Sequence, residues 1–364
     1  MIYIFVLFFI GIYLYGNESK KYSNFLNQFI AWFPVFLVFS FFPSFQNQVG
    51  TDYLTYFNYF YNDGHQLHYD RGEYLYYYLV ELVKFIGEPQ LQFFIVSIIQ
   101  GILFTYLLYM LKINGYKSWL IWFLFMCTTG IYHNQMNILR QAICIYLVLI
   151  SVVIMGAENV TKKNKIFIFL FNFLISFFLH LSSIFANLII FFSKITFSKK
   201  RLLFAFLFIM SIPIYSLNLT AVITNILEFF NLRYISYIGS DFAQGRSILN
   251  ILTKVYYLPV ILIFWFLYIF DKKDDYLSKN LFSMMIYIFS FTYFLFLQAM
   301  DFGLISRIWQ YFNFLLIFPL YFVYVRINNF YKLILIVYLI IPYLLKVLFF
   351  ADAEYSYYFY KGWF

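Results

Sequence analysis

Apolar residues run through this chain in long unbroken blocks, at about 1–15, 25–45, 91–111, 119–132, 138–155, 166–192, 202–217, 251–270, 281–300, 308–325 and 333–350. A helix needs about 20 residues to cross a bilayer core of about 30 Å. Most blocks fit that length. The block at 119–132 is short, and the one at 166–192 is too long for a single crossing. Strands of a transmembrane barrel would alternate apolar and polar residues, which these blocks do not. The pattern predicts an all-α polytopic membrane protein of about 11–12 transmembrane segments, organised as one transmembrane domain over residues 1–364. The first block has neither a basic flank before it nor a small-residue cleavage site after it, so it reads as an uncleaved helix.

Basic residues orient the helices, because Lys and Arg collect in cytoplasmic connections. Simple alternation meets one obstacle. Lys162, Lys163 and Lys165 precede the long block and Lys194, Lys199, Lys200 and Arg201 follow it, so a single crossing would place them on opposite sides. Breaking the block at Phe178-Leu179-His180-Leu181-Ser182-Ser183 removes the conflict and puts His180 on the opposite side from both. A single very long tilted helix is the alternative. With the break there are twelve segments, both termini outside, and 16 of the 25 basic residues inside against five acids. Two outer connections are long. Residues 46–89 carry a stripe of Glu73, Tyr77, Glu81, Lys84 and Glu88, which predicts an interfacial amphipathic helix. Residues 218–250 place Leu219, Val222, Ile223, Ile226, Leu227 and Phe230 at helical spacing, which predicts a second.

Composition narrows the class. The chain is 64% hydrophobic, 26% aromatic and 11% charged, against about 25% charged residues in soluble domains. A water-soluble globule is excluded. The net charge of +9 comes from loop cations, so nucleic acid is not the expected partner. Cys127 and Cys144 stand in apolar blocks with no metal-ligand spacing, which predicts neither a disulfide framework nor a zinc site. No cofactor is expected.

Charged and polar groups near a bilayer are costly and mark function. Those left after the inner loops are set aside fall on the outer side: Asp52, His133, Arg140, His180, Asp241, Arg246 and Arg307. They come from distant parts of the chain, and the topology brings them to one face. Arginine binds phosphate oxygens as a fixed fork, so Arg140, Arg307 and Arg246 are candidate diphosphate ligands. His180 suits proton transfer at neutral pH, and Asp52 is a candidate base or a group that orients a sugar hydroxyl. Arg140 is also placed among the catalytic candidates. Tyr53, His133, Asn137, Gln141, Gln310 and Tyr311 are candidate substrate contacts. Each has a plainer reading. Arg307 and Arg140 could snorkel, Asp52 could begin a helix, His180 could join two helices, and Asp241 and Arg246 could pair in their loop. His65 and His68 read as solvated loop residues.

Several of these positions fall in motifs. Gly50-Thr51-Asp52-Tyr53-Leu54-Thr55-Tyr56 resembles the GTDYxxY signature of the EpsG family, polytopic proteins of bacterial exopolysaccharide and O-antigen clusters. Asn137-Ile138-Leu139-Arg140-Gln141 is similar to that family's Arg-Gln pair opening a helix. Phe178-Leu179-His180-Leu181-Ser182-Ser183 resembles its Phe-x-His segment, and Arg307-Ile308-Trp309-Gln310-Tyr311-Phe312 its late Arg-x-x-x-Tyr-Phe segment. The aromatic tail 355–364 fits as well. The resemblance implies a metal-independent glycosyltransferase, a Wzy-type polymerase. It would act in the bacterial inner membrane with its site facing the periplasm. It would transfer a growing undecaprenyl-diphosphate-linked glycan to the next lipid-linked repeat, with a chain-length regulator as partner and an architecture of the GT-C type. An O-antigen ligase uses the same donor with another acceptor, and a flippase for lipid-linked repeats also suits a cationic cavity. Against the flippase, the unusual charges gather at one face and no internal repeat is evident.

Overall fold

The computed structural model describes residues 1–20, 25–196, 200–217, 220–229, 248–270 and 280–362. It is a helical protein. Among the described residues seven helices are long and apolar enough to cross a membrane: Leu26–Ser44, Leu91–Ile113, Leu139–Gly156, Ile251–Phe270, Asn280–Asp301, Ile305–Arg326 and Asn329–Leu348. Shorter apolar helices are Ile2–Gly16, Ser118–Thr129, Ser183–Lys194 and Arg201–Ser216. A helix at Lys162–Leu179 completes the set. Each apolar block of the sequence is therefore a helix, and the long block is two. Helix Lys162–Leu179 ends at His180, whose backbone is extended, and the next helix starts at Ser183.

The chain divides into two compact units. The first comprises Met1–Ile154, Val160–Ile184 and Asn328–Phe364. Its centre is aromatic. Phe39 stacks on Phe104 with ring centroids 4.4 Å apart, and Trp122 donates its indole N–H to the Leu7 carbonyl at 2.9 Å. Helices Leu26–Ser44 and Leu91–Ile113 meet at Gly101, where an added Cβ would stand 1.9 Å from Ser40 Oγ. A small residue is what lets two membrane helices approach so closely. Helix Leu139–Gly156 is 94% buried along its apolar window, so it is wrapped by protein, not lipid.

Loops assigned to one side by the charge rule meet in this unit. Lys112 donates to the Asn17 carbonyl at 2.9 Å, and Glu18 accepts from the Ser118 N–H at 3.0 Å. The outer connection and the tail also meet, in a ribbon of β1 (Gln46–Asn47) and antiparallel β2 (Tyr358–Phe359). The second unit comprises Met155–Asn159 and Phe185–Ile327. Phe208 is fully surrounded there, against Trp265, Phe289, Tyr293 and Phe294.

The first outer connection is helical in three pieces, Tyr53–Asn58, Gln66–Asp70 and Tyr74–Ile86. The expected amphipathic helix is Tyr74–Ile86, which buries Tyr76, Val80 and Val83 and exposes Leu75, Tyr78, Leu82 and Phe85. In the second connection helix Thr220–Phe229 forms as expected. Asp241 and Arg246 lie outside the described residues.

Candidate functional site

Glu73 is the centre of the site. It immediately precedes helix Tyr74–Ile86 and is 3% exposed. A buried carboxylate is costly unless charge and hydrogen bonds compensate it. Glu73 has both. Arg140, at the start of helix Leu139–Gly156, donates from Nη1 to Glu73 Oε2. His68 Nδ1 lies 2.9 Å from the same oxygen. His180 Nδ1 lies 3.2 Å from Oε1, and the Leu181 N–H donates to Oε1 at 3.3 Å. Burial alone would raise the Glu73 carboxyl, but the hydrogen bonds from His180 and His68 and the charge of Arg140 outweigh it. They hold the carboxyl well below the usual carboxylate range. The break at His180 has its reason here, because the freed imidazole and the freed Leu181 amide both reach one carboxylate.

Aromatic rings close the cluster. The Arg140 guanidinium lies 5.0 Å from the centre of the Tyr76 ring, a favourable cation–π geometry. His68 meets Tyr76 edge-on at 5.1 Å, and its Nε2 lies 3.3 Å from the Tyr59 hydroxyl. Burial pushes the His68 imidazole down to about 4, against the opposing pull of Glu73. His68 was expected to be solvated, as was His65. Both are instead buried, at 1% and 2% exposure. His65 bonds Glu81 through Nε2 and stacks on Tyr77 at 5.3 Å. The loop folds back on the polar stripe of helix Tyr74–Ile86, and that stripe, not water, receives the histidines.

The glycine-containing motif borders this cluster. Asn137 Oδ1 accepts from the Asp52 N–H at 2.8 Å and lies 3.4 Å from the Thr51 hydroxyl. Gly50 has φ 79°, and a Cβ there would stand 2.6 Å from Asn137 Oδ1. Both facts demand glycine. The first two motifs of the sequence are thus one structural unit, in which Asn137 caps the loop that presents Asp52 and Arg140 follows one turn later. Asp52 itself is exposed.

Other candidates are placed differently. Tyr53 is 2% exposed, stacks on Phe93 at 4.7 Å and hydrogen-bonds Gln90. Gln141 is 4% exposed. His133 is fully buried and stacks on Tyr355 of the tail at 4.2 Å. Burial pushes its imidazole down to about 3, with Lys346 adding to the effect. In the second unit, Arg307 and Gln310 are half-buried on helix Gly303–Phe312, and Tyr311 is fully buried there. Glu73 was missed as chemistry because its spacing marked it only as one polar position of an amphipathic stripe. The signal that could have found it is a carboxylate at a helix start within reach of the His180 break.

The residue types of Glu73, His68 and His180 suit a metal, but the Arg140 guanidinium already supplies the cation among them. Among the described residues no group of three His, Cys, Asp or Glu side chains is disposed to hold an ion. The arrangement suits proton transfer and anion recognition.

No curated protein and no solved structure matches the chain. A family model does, over residues 29–361, a range that takes in the Gly50–Tyr56 loop, Arg140, His180, Arg307 and most of the aromatic tail. That match over nearly the whole chain, together with the membrane helices and the meeting of Arg140 and His180 at one buried carboxylate, makes this protein a member of the EpsG family, which supports a general role as a polysaccharide polymerase.

Proposed function

We propose that the protein lengthens a glycan carried on undecaprenyl diphosphate, transferring the growing chain onto the next lipid-linked repeat at the outer face of the bacterial inner membrane. The observation that carries this reading is the Glu73–Arg140–His68–His180 cluster beside the exposed Asp52 loop. Displacement at a sugar C1 needs two services, stabilisation of the charge gathering on the diphosphate and removal of the acceptor hydroxyl's proton. Arg140 has the chemistry for the first. Its side chain is 13% exposed, and Glu73 fixes it through Nη1. Arg307 and Arg246 are proposed as further phosphate ligands on the strength of their sequence positions. Asp52 and the Glu73-linked histidines have the chemistry for the second. The charge on the leaving group is met by arginine, so the reading needs no metal. A chain-length regulator is the proposed partner.

The test is a deletion strain of the source organism, with its surface glycan resolved on a gel. Wild-type gene should restore a ladder where the deletion shows a single repeat. A deletion that accumulates long lipid-linked polymer instead would sink the reading in favour of a ligase. Loss of even the single repeat, with lipid-linked repeats trapped inside, would sink it in favour of transport.

A further inference from the structure

We propose that Tyr59, His68 and Glu73 form a proton relay in which Tyr59 receives the proton of the acceptor sugar hydroxyl. This rests on the polymerase reading above and adds a route that neither the motifs nor the family match assigns.

The argument starts from exposure. Glu73 and His68 are buried at 3% and 1%, so neither can meet a substrate directly. Tyr59 is half-buried, and its hydroxyl stands 3.3 Å from His68 Nε2. It is the least buried member of the chain Tyr59–His68–Glu73. Asp52 and Arg140 are near enough to act electrostatically on the Tyr59 phenol, so it borders the proposed substrate face.

The second observation concerns His68. Its Nδ1 is 2.9 Å from Glu73 Oε2 and also 2.9 Å from Arg140 Nη1. A carboxylate only accepts and a guanidinium only donates, so the nitrogen satisfies one of them at a time. With the proton on Nδ1, His68 donates to Glu73 and its Nε2 accepts from the Tyr59 hydroxyl. With the proton on Nε2, His68 donates to the Tyr59 oxygen and its Nδ1 accepts from Arg140. Both tautomers therefore have partners already in place. A structural histidine needs partners for one tautomer, whereas a histidine that passes protons needs them for both.

The step balances as follows. The acceptor oxygen forms its bond to the donor C1 as the bond from C1 to the diphosphate oxygen breaks, and the diphosphate leaves with that electron pair. The acceptor proton passes to Tyr59 Oη while the Tyr59 proton passes to His68 Nε2. The imidazolium so formed donates from Nδ1 to Glu73. The proton later returns by the same path to the released lipid diphosphate. Tyr59 is the catalytic residue in this scheme, and His68 and Glu73 act through it.

The experiment uses the full-length protein in lipid nanodiscs, with lipid-linked repeat extracted from the deletion strain as donor and acceptor. Tyr59→Phe removes one hydroxyl from a half-buried side chain. His68→Gln keeps hydrogen bonding but cannot carry a proton. The expected result is a fall of about 100-fold in kcat for Tyr59→Phe, with KM and melting temperature held. The double variant should be no slower than the slower single one, as for residues acting as a unit. An unchanged kcat, a rise confined to KM, or multiplicative losses in the double variant would overturn the relay. A wild-type protein that makes no polymer would instead overturn the polymerase reading, and the relay with it.

Discussion

Two buried histidine sites of the first unit differ in what surrounds them. His68 and His180 converge on Glu73, with Arg140 completing the charge. His133 lies in a box of tyrosines, edge-on to Tyr3 at 4.4 Å and stacked on Tyr355, and among the described residues neither of its ring nitrogens has a hydrogen-bond partner. Both sites exclude water. One invests that exclusion in ions and hydrogen bonds and reaches the surface through Tyr59. The other uses the imidazole as a flat aromatic ring that latches the tail. The Tyr3 hydroxyl donates to the Glu354 carbonyl at 2.8 Å, and the Tyr360 N–H donates to the Phe45 carbonyl at 2.7 Å. Burial of a histidine therefore says little about function until its partners are known.

The strongest way to break the contrast is at Arg140. Arg140→Ala leaves Glu73 buried without its counter-charge, a loss of about 3–5 kcal/mol for a broken buried pair. It should remove the polymer ladder and lower the melting temperature of the purified protein. Arg140→Lys keeps the charge but not the fork, and should keep the protein folded while polymer falls sharply. The double change Glu73→Gln with Arg140→Met removes both charges and should recover the melting temperature without recovering the ladder. A normal ladder from Arg140→Ala would end the assignment of the cluster as the site.

Acid comes next. The folded pKa of His68 is lowered to about 4, so in the window between its ordinary value of about 6.5 and about 4 the unfolded chain binds the extra proton. Stability is then full above that window and falls as pH drops through it, by about 3 kcal/mol for a shift of this size. Glu73, held low, loses its contribution in the same direction at still lower pH. Melting temperature measured from pH 7 to pH 4 should fall, and His68→Gln should flatten the upper part of the curve. A flat wild-type curve would contradict the burial of His68.

Gly50→Ala should cost about 1–2 kcal/mol for its left-handed backbone and displace Asn137 besides. The expected result is several-fold less polymer at nearly normal protein abundance, read on the same gel. The smallest effect belongs to His133→Phe. It preserves the stack on Tyr355 and removes two unpaired polar atoms, a change near neutral in stability. An unaltered ladder sharpens the contrast between the two sites, and a lost ladder would erase it.

Much of the fold could be read directly. Continuous apolar blocks mean helices wherever lipid forbids an unpaired backbone, and each block is helical, the long one as two helices. The break at His180 was readable from charge, since basic loops on both flanks are incompatible with a single crossing. The pairing of the Asp52 loop with Arg140 was readable only as a shared side of the membrane. Glu73, His68 and Tyr59 were not readable as a site, because a loop's fold sets which of its polar groups turn inward. His68 and His65 looked alike in a polar segment, and each found a different carboxylate.

The amino-acid sequence by itself determined the solvent this protein folds in, its helices and its family. Those properties follow from local hydrophobicity and charge, which act on each segment separately. Only the tertiary structure decided that Glu73 is buried, that Arg140 is its counter-ion, and that His68 has a partner for either tautomer. Those depend on distances between segments as far apart as residues 73 and 180, and a one-dimensional pattern of polarity carries no such distances.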